Sequence, residues 1–344
     1  MDSAVNEKET PCPCRNFARE RGSLPERRGN MPIIDLHCDT VSVLLESGEP
    51  LFSSDRNVSI EKMRSSDVFC QFFAMFIRLT DFKSVDAAYE YLKIMQSHYL
   101  REMEQNLEYI RPVLCASDLH KNREEKKLSG ILTVEEGGVI GGSPERLEEL
   151  HDMGVRLITL TWNYENSLGY PNSDDPAVMG AGLKPLGKQI VERMNELHML
   201  VDVSHLSDGG FWDVMELTRG PFVASHSNAR AVRDFRRNLT DEMLRALAER
   251  GGVTGINFYH KFLGEDGQGS VADMVRHIRH IRKVAGIDVI ALGSDFDGFS
   301  GPCEVRDCTQ FYKLTDALTA AGFTDEEIEK ICWKNALRVI DSVL

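Results

Sequence analysis

Hydrophobic residues recur along this chain in short unbroken runs separated by longer stretches of helical period. Runs rich in Val, Ile, Leu and Phe lie at 33–38, 68–76, 130–134, 155–161, 200–203, 222–225, 252–256 and 289–293. Runs of this length without a polar alternating face predict strands buried on both sides, as in a parallel sheet. Between them, 85–107, 145–153, 186–198, 208–218, 240–250 and 271–285 space their apolar residues for amphipathic helices, and helical pattern continues to the C-terminus. Eight strands alternating with helices predict an α/β fold, a TIM-like (β/α)8 barrel, over residues 31–344 as a single domain. No solenoid-period repeat, low-complexity tract or linker-like shift in composition marks a second one.

Local signals support the boundaries. Ser143-Pro144 reads as an N-cap followed by Pro at the first helical position. Thr324-Asp325-Glu326-Glu327 reads as a capping box opening a last helix, with Ile328, Ile331, Cys332, Val339 and Ile340 on its inward stripe. An open doubly wound sheet is the competing architecture. It gathers ligands at one crevice between two or three strands, whereas the chemistry here is spread over more.

Five of the runs end in residues that bind metals: Ile33–Asp39, Gly130–Glu135, Leu200–His205, Phe222–His226 and Val289–Asp295. A closed ring is what brings five strand ends to one point, and a barrel builds its site on that face. His37-Cys38-Asp39 places two ligand types at period two, so both side chains face the same way. Glu135 directly follows the apolar run Ile131–Val134, where a buried carboxylate needs pairing or a metal; Glu136 reads as a solvated loop carboxylate. Val203-Ser204-His205 and Ala224-Ser225-His226 repeat one form on consecutive strands, which points to neighbouring imidazoles. Asp295, in Gly293-Ser294-Asp295-Phe296-Asp297-Gly298, reads as a ligand that also carries a proton, and Asp297 as a turn former. Three imidazoles and three carboxylates exceed what one tetrahedral zinc uses, so two metals sharing a carboxylate, Glu135, fit better.

Other residues carry blander readings. His277 and His280 share a helix with Arg276, Arg279, Arg282 and Lys283 and read as part of a basic solvated face. Of Arg236-Arg237, a surface pair and a guanidinium for a substrate carboxylate are equally open readings. Hydrophobic content of 42% with 27% charged residues is ordinary for a soluble protein, and a net charge of −14 argues against nucleic acid or an anionic membrane surface as partner. The eight cysteines are scattered and read mostly as free thiols; Cys12-Pro-Cys14 has the wrong spacing for a zinc or redox motif. Residues 1–30, polar and rich in Arg and Glu, predict a disordered N-terminal extension, with Met31 as the expected natural start. No run approaches a membrane span and the first residues lack the apolar core of a signal peptide, so a cytoplasmic location is expected.

From Met31 onward the chain resembles the membrane (renal) dipeptidase family of zinc metallopeptidases, family M19, in its soluble bacterial branch. The resemblance rests on Asp35-Leu36-His37-Cys38-Asp39-Thr40, Val134-Glu135-Glu136-Gly137-Gly138, Leu160-Thr161-Trp162-Asn163, Asp202-Val203-Ser204-His205, Ser225-His226-Ser227, Arg237-Asn238, Asn257-Phe258-Tyr259 and Gly293–Gly298, in family order. It implies two zinc ions, one held by His37, Asp39 and Asp295, the other by His205 and His226, with Glu135 bridging. It implies further that a hydroxide bridging the metals attacks a dipeptide, often one with a D-residue at its C-terminal side, while Asp295 moves the proton. Arg237 corresponds to the family arginine for the substrate's C-terminal carboxylate, and Trp162, Asn163 and Tyr259 to the walls of the same pocket. Homodimerisation, common in the family, is an expectation.

One position departs from the family. Where many relatives carry a His that contacts the substrate carbonyl, this chain has Trp162, whose indole donates one hydrogen bond but carries no charge. Two alternatives stay open: an amidohydrolase-like barrel acting on another small amide, lactone or ester, and an inactive metal-binding homologue. Amidohydrolase-like barrels commonly bridge their metals with a carboxylated Lys, and no strand-end Lys is evident here.

Overall fold

The structure, a computed structural model, describes residues 31–344. The expectations for residues 1–30, including Cys12-Pro-Cys14, lie outside the described residues. Nine parallel strands run in chain order as β1 (Ile33–Cys38), β2 (Val68–Phe76), β3 (Ile110–Pro112), β4 (Leu128–Glu135), β5 (Val155–Thr159), β6 (Leu200–Asp202), β7 (Val223–Ala224), β8 (Val253–Ile256) and β9 (Ile290–Leu292). They follow the order β2-β1-β9-β8-β7-β6-β5-β4, and β2 pairs with β4 from Cys70↔Ser129 to Phe76↔Glu135, which closes the ring. That closure excludes the open doubly wound sheet and gives an eight-stranded barrel ringed by helices.

The ninth strand, β3, pairs only with the first residues of β4. Three residues ending in Pro112 carry too little apolar pattern to announce a strand. β5 and β6 stop earlier than their apolar runs, at Thr159 and Asp202. The Asp202 carboxylate takes the backbone N–H groups of Ser204 and Ser225, so side chain replaces ladder at the rim.

Inside the barrel, Ile131, Leu157, Leu200, Val223, Val253 and Ala291 form one buried layer, joined below by Ala336, Val339 and Ile340 of the C-terminal helix. Each fully buried aliphatic side chain contributes about 1.5–3 kcal/mol. Two residues further along their strands stand Thr133, Thr159, Asp202 and Ser225, all buried, so the interior turns polar toward the C-terminal rim. The six expected helices are present, among them Val85–Gln105, Asp241–Glu249 and Val271–Ala285.

Thr324 forms the capping box with Glu327, and the helix it opens passes through a π-helical turn at Lys330–Lys334 before ending at Val343. The turn adds a residue and keeps Ile331, Cys332, Ala336, Val339 and Ile340 on one buried side. Asn335 then donates to the carbonyls of Ile287 and Ile290, tying this helix to the start of β9. Ser143 caps differently from its expected role: its hydroxyl donates to Glu145, and Pro144 occupies the N-cap position. Among the described residues no helix is long and apolar enough to cross a membrane.

His277 corrects the basic-face reading, because it is fully buried. Its Nδ1 accepts from the Ala229 N–H at 3.1 Å and its Nε2 donates to the Leu263 carbonyl at 3.1 Å, while His280 pairs with Asp241. Both ring nitrogens are used by the neutral imidazole, and burial pushes its pKa down to about 4. Below its unfolded pKa of about 6.5 only the unfolded chain takes the proton, so stability present above that pH is lost as pH falls toward 4. His277→Gln keeps one acceptor and one donor but does not titrate. The unfolding free energy of the native chain is therefore expected to fall by about 2–3 kcal/mol more than that of the variant between pH 7 and pH 4. Denaturant melts at both pH values check this, and parallel losses would refute it.

Candidate metal centre

His37 leaves β1, Glu135 ends β4, and His205, His226 and Asp295 follow β6, β7 and β9, so the barrel brings every predicted ligand to one rim. Asp39 joins them one residue past β1. Clusters of potential ligand side chains among the described residues are built from these six and no others: His37, Asp39 and Glu135; Glu135, His205 and His226; His37, His226 and Asp295. His37, Glu135 and His226 are at most 3% exposed.

Glu135 stands between the two halves. Its Oε2 lies 3.2 Å from His37 Nε2 and its Oε1 2.9 Å from His205 Nε2. His37 Nε2 is also 3.5 Å from Asp39 Oδ2 and 3.9 Å from Asp295 Oδ1. Neither nitrogen of His37, nor Asp39 Oδ1, nor Glu135 Oε1 has a partner with hydrogen-bond geometry.

The hydrogen bonds behind the imidazoles set their tautomers. Ser225 Oγ donates to Asp202 Oδ2 at 2.6 Å and lies 2.7 Å from His226 Nδ1. The hydroxyl's one proton is spent on the carboxylate, so Nδ1 carries the ring proton and Nε2 presents a lone pair. Likewise His205 Nδ1 donates to Asn163 Oδ1 at 2.9 Å, which frees its Nε2. The two Nε2 atoms then face each other at 3.1 Å as acceptors with no proton between them. Unpartnered acceptors converging in a buried site repel unless a cation lies among them, so the donor set fits a metal.

Charge tells the same story. Burial raises the Glu135 carboxyl, but His37 and His205 outweigh it and hold it well below the usual range. His37 is pushed down by burial and lifted far more by Glu135 and Asp39. Burial and then the Arg237 charge push His205 down to about 4. Asp39 rises to about 6 and Asp295 to about 7, chiefly because burial disfavours the carboxylate.

The backbone is set for the same purpose. His205 and Asp295 sit at φ of +68° and +65°, left-handed conformations that cost a non-glycine residue about 1–2 kcal/mol each. Asp35 accepts from the N–H and Oγ–H of Ser294, immediately before Asp295, just as Asp202 accepts from the N–H and Oγ–H of Ser225, immediately before His226. Asn257 Nδ2 donates to Asp295 Oδ2 at 3.0 Å. At Gly298 a Cβ would overlap Asp39 Oδ2 and Asp295 Oδ1, so only glycine leaves room beside that pair.

Asp35, Asp202 and Asn257 are the functional residues that motif reading left without a role. The signal for Asp35 and Asp202 was an Asp inside an apolar strand two or three residues before a His; Asn257 carried none. Glu136 corrects the loop reading: it is fully buried, accepting from the N–H groups of Gly138 and Trp162 and from the side chain of Asn166. Asp297 is the expected turn former, held by Thr40 and Asn57.

Arg237 is buried, donating to Ser227 Oγ and the His226 carbonyl, with its Nε unpartnered. Trp162 packs on Phe76, Tyr164 and His205, and Asn163 reaches His205 directly. Tyr259 meets Phe262 edge to face, and Phe262 in turn lies under the Arg237 guanidinium. A 570 Å³ cavity lined by Asn57, Phe299, Cys303 and Arg306 opens off the loop after Asp295, and none of the six clustered residues lines it.

Comparison with known proteins identifies the family. The sequence profile of the membrane dipeptidase family, peptidase family M19, matches residues 28–344. An uncharacterized dipeptidase of Schizosaccharomyces pombe is 31% identical over 300 residues, 82% of this chain and 71% of its own length. A solved metallopeptidase, dipeptidase AC, superposes with a TM-score of 0.83 at 27% identity, covering 91% of this chain and 99% of that one. A metallopeptidase from Rhodobacter sphaeroides, solved with a phosphinate mimic of the dipeptide L-Ala-D-Ala, superposes at 0.82 with 26% identity, covering 92% and 100%. The chain belongs to the membrane dipeptidase family, peptidase family M19, and is a metallo-dipeptidase.

Proposed function

We propose that the enzyme cleaves dipeptides, including L-Xaa-D-Xaa, at a centre of two zinc ions. His37, Asp39 and Asp295 would hold one, His205 and His226 the other, and Glu135 both. The observation that carries this reading is the divided Glu135 carboxylate, with one oxygen toward His37 and the other toward His205. When bound, the metals supply Lewis acidity to the scissile carbonyl and lower the pKa of bound water from about 16 toward 7.

Asp295 is the proton carrier. It stands at the edge of the cluster with Oδ2 held by Asn257, placed to take a proton from the attacking water and return it to the leaving amine. Arg237 pairs with the substrate's C-terminal carboxylate, and its Nε is a buried donor with no partner among the described residues; this pairing selects dipeptides over internal peptide bonds. Trp162 offers an indole N–H where relatives place a cation-forming imidazole, and Tyr259 walls the pocket beyond Phe262. Asn163 acts through His205 by fixing its tautomer. The D-configuration is supported by the ligand bound to the Rhodobacter sphaeroides relative. All six described cysteines are unpaired, which suits the reducing cytoplasm.

The test is metal analysis by mass spectrometry together with hydrolysis of an L-Xaa-D-Ala panel before and after chelation. About two zinc per chain and cleavage abolished by chelator, then restored by zinc, are expected. Chelator-resistant cleavage, or a single tightly held metal with full activity, would overturn the two-zinc reading.

A further inference from the structure

Arg78 follows β2 at the open rim, exposed, and has no carboxylate partner among the described residues. Its guanidinium lies over the Trp162 indole, with Cζ 5.2 Å from the ring centre, and the same indole packs on His205, 6.2 Å between centroids. A single aromatic ring therefore separates this cation from the ligand cluster.

The placement is built. The Tyr164 hydroxyl accepts from the Leu79 N–H at 2.6 Å and donates to the Ile77 carbonyl, fixing the backbone on both sides of Arg78. Trp162 is fixed in turn by its backbone N–H to Glu136 Oε2 at 2.8 Å and by edge contacts with Phe76 and Tyr164. Holding an exposed arginine this way reduces the side-chain entropy a ligand would otherwise have to overcome.

Ring order gives the orientation. With the strands closed as β1-β2-β4-β5-β6-β7-β8-β9, β2 stands opposite β7. Arg237 belongs to the segment after β7 and Arg78 to the segment after β2. A dipeptide lying across the centre with its C-terminal carboxylate on Arg237 sends its N-terminal residue toward Trp162 and Arg78.

We propose that Arg78, stacked on Trp162, selects dipeptides whose N-terminal residue carries an acidic side chain, Asp or Glu. The inference rests on the dipeptidase reading and on Arg237 holding the opposite end. Glu and Gln differ in charge at nearly equal size, so Glu-Ala and Gln-Ala, each with D-Ala, isolate the effect, and Ala-D-Ala reports dipeptidase activity itself.

A charge-assisted pair at this rim is expected to give Glu over Gln about tenfold in kcat/KM, shrinking in high salt. Arg78→Met should bring the ratio to about one, Arg78→Lys should restore part of it, and Arg78→Glu should shift preference to Lys-D-Ala. Cleavage of Ala-D-Ala with no Glu preference, or a preference that Arg78→Met leaves intact, would overturn the inference alone. No cleavage of any of these dipeptides would overturn the dipeptidase reading and the inference with it.

Discussion

Glu135→Gln is expected to remove both metal retention and hydrolysis while leaving the barrel folded. The substitution preserves size, and Glu135 forms no hydrogen bond that the core depends on; its oxygens face His37 and His205. What changes is charge and proton count. An amide brings two N–H donors to a place where His205 Nε2 and His226 Nε2 present lone pairs, so it satisfies the acceptors that a cation would otherwise bind. It also strips His37 of the carboxylate that contributes most to lifting its pKa. Losing a carboxylate that faces both His37 and His205 is expected to weaken metal binding by more than the about 10- to 100-fold that follows from losing a partner behind a ligand, and kcat/KM is expected to fall with it. Competition against a chelator of known affinity, with circular dichroism of the metal-free variant, checks the claim. Hydrolysis near the native rate would remove Glu135 from the bridging role.

The eight barrel strands and all six clustered residues were legible in the sequence because each rests on a strong local rule. A strand buried on both faces must be continuously apolar, so a His or carboxylate at its end stands out. His205 and His226 were visible as a repeated Ser-His, and Asp39 by its period-two spacing from His37. What was not legible depends on contacts between strands distant in sequence. Glu136 looks like a loop residue because nothing nearby reveals that Trp162, Gly138 and Asn166 will fold over it. His277 sits among arginines, yet the stripe it belongs to faces Ala229 and Leu263, forty-eight and fourteen residues away. Short β3 escaped because its pairing partner, the start of β4, makes it a strand more than its own three residues do.

Asp202 makes the same point with a larger consequence, and two substitutions there are expected to separate folding from metal binding. Its carboxylate, fully buried, accepts from the Ser204 N–H at 2.9 Å, the Ser225 N–H at 2.8 Å, and the hydroxyls of Ser225 and Thr159, each at 2.6 Å. Asp202→Ala leaves those donors without an acceptor at about 1–3 kcal/mol each, a total of at least about 4 kcal/mol against a stability of about 5–15 kcal/mol. Poor folding is the expected result. Asp202→Asn behaves differently: its carbonyl still takes the two backbone N–H groups, while its NH2 turns toward the Ser225 hydroxyl and donates to it. The hydroxyl proton then goes to His226 Nδ1, 2.7 Å away, and the ring proton moves to Nε2. An imidazole with Nε2–H facing the cluster is a donor where a ligand is needed. The metal-free Asn variant is therefore expected to melt within a few degrees of the metal-free native chain yet bind metal about 10- to 100-fold more weakly. Calorimetric titration of zinc, with nitrogen NMR of the His226 ring to read its tautomer, tests this. Unchanged affinity with an unchanged tautomer would show that Asp202 only holds the strands together.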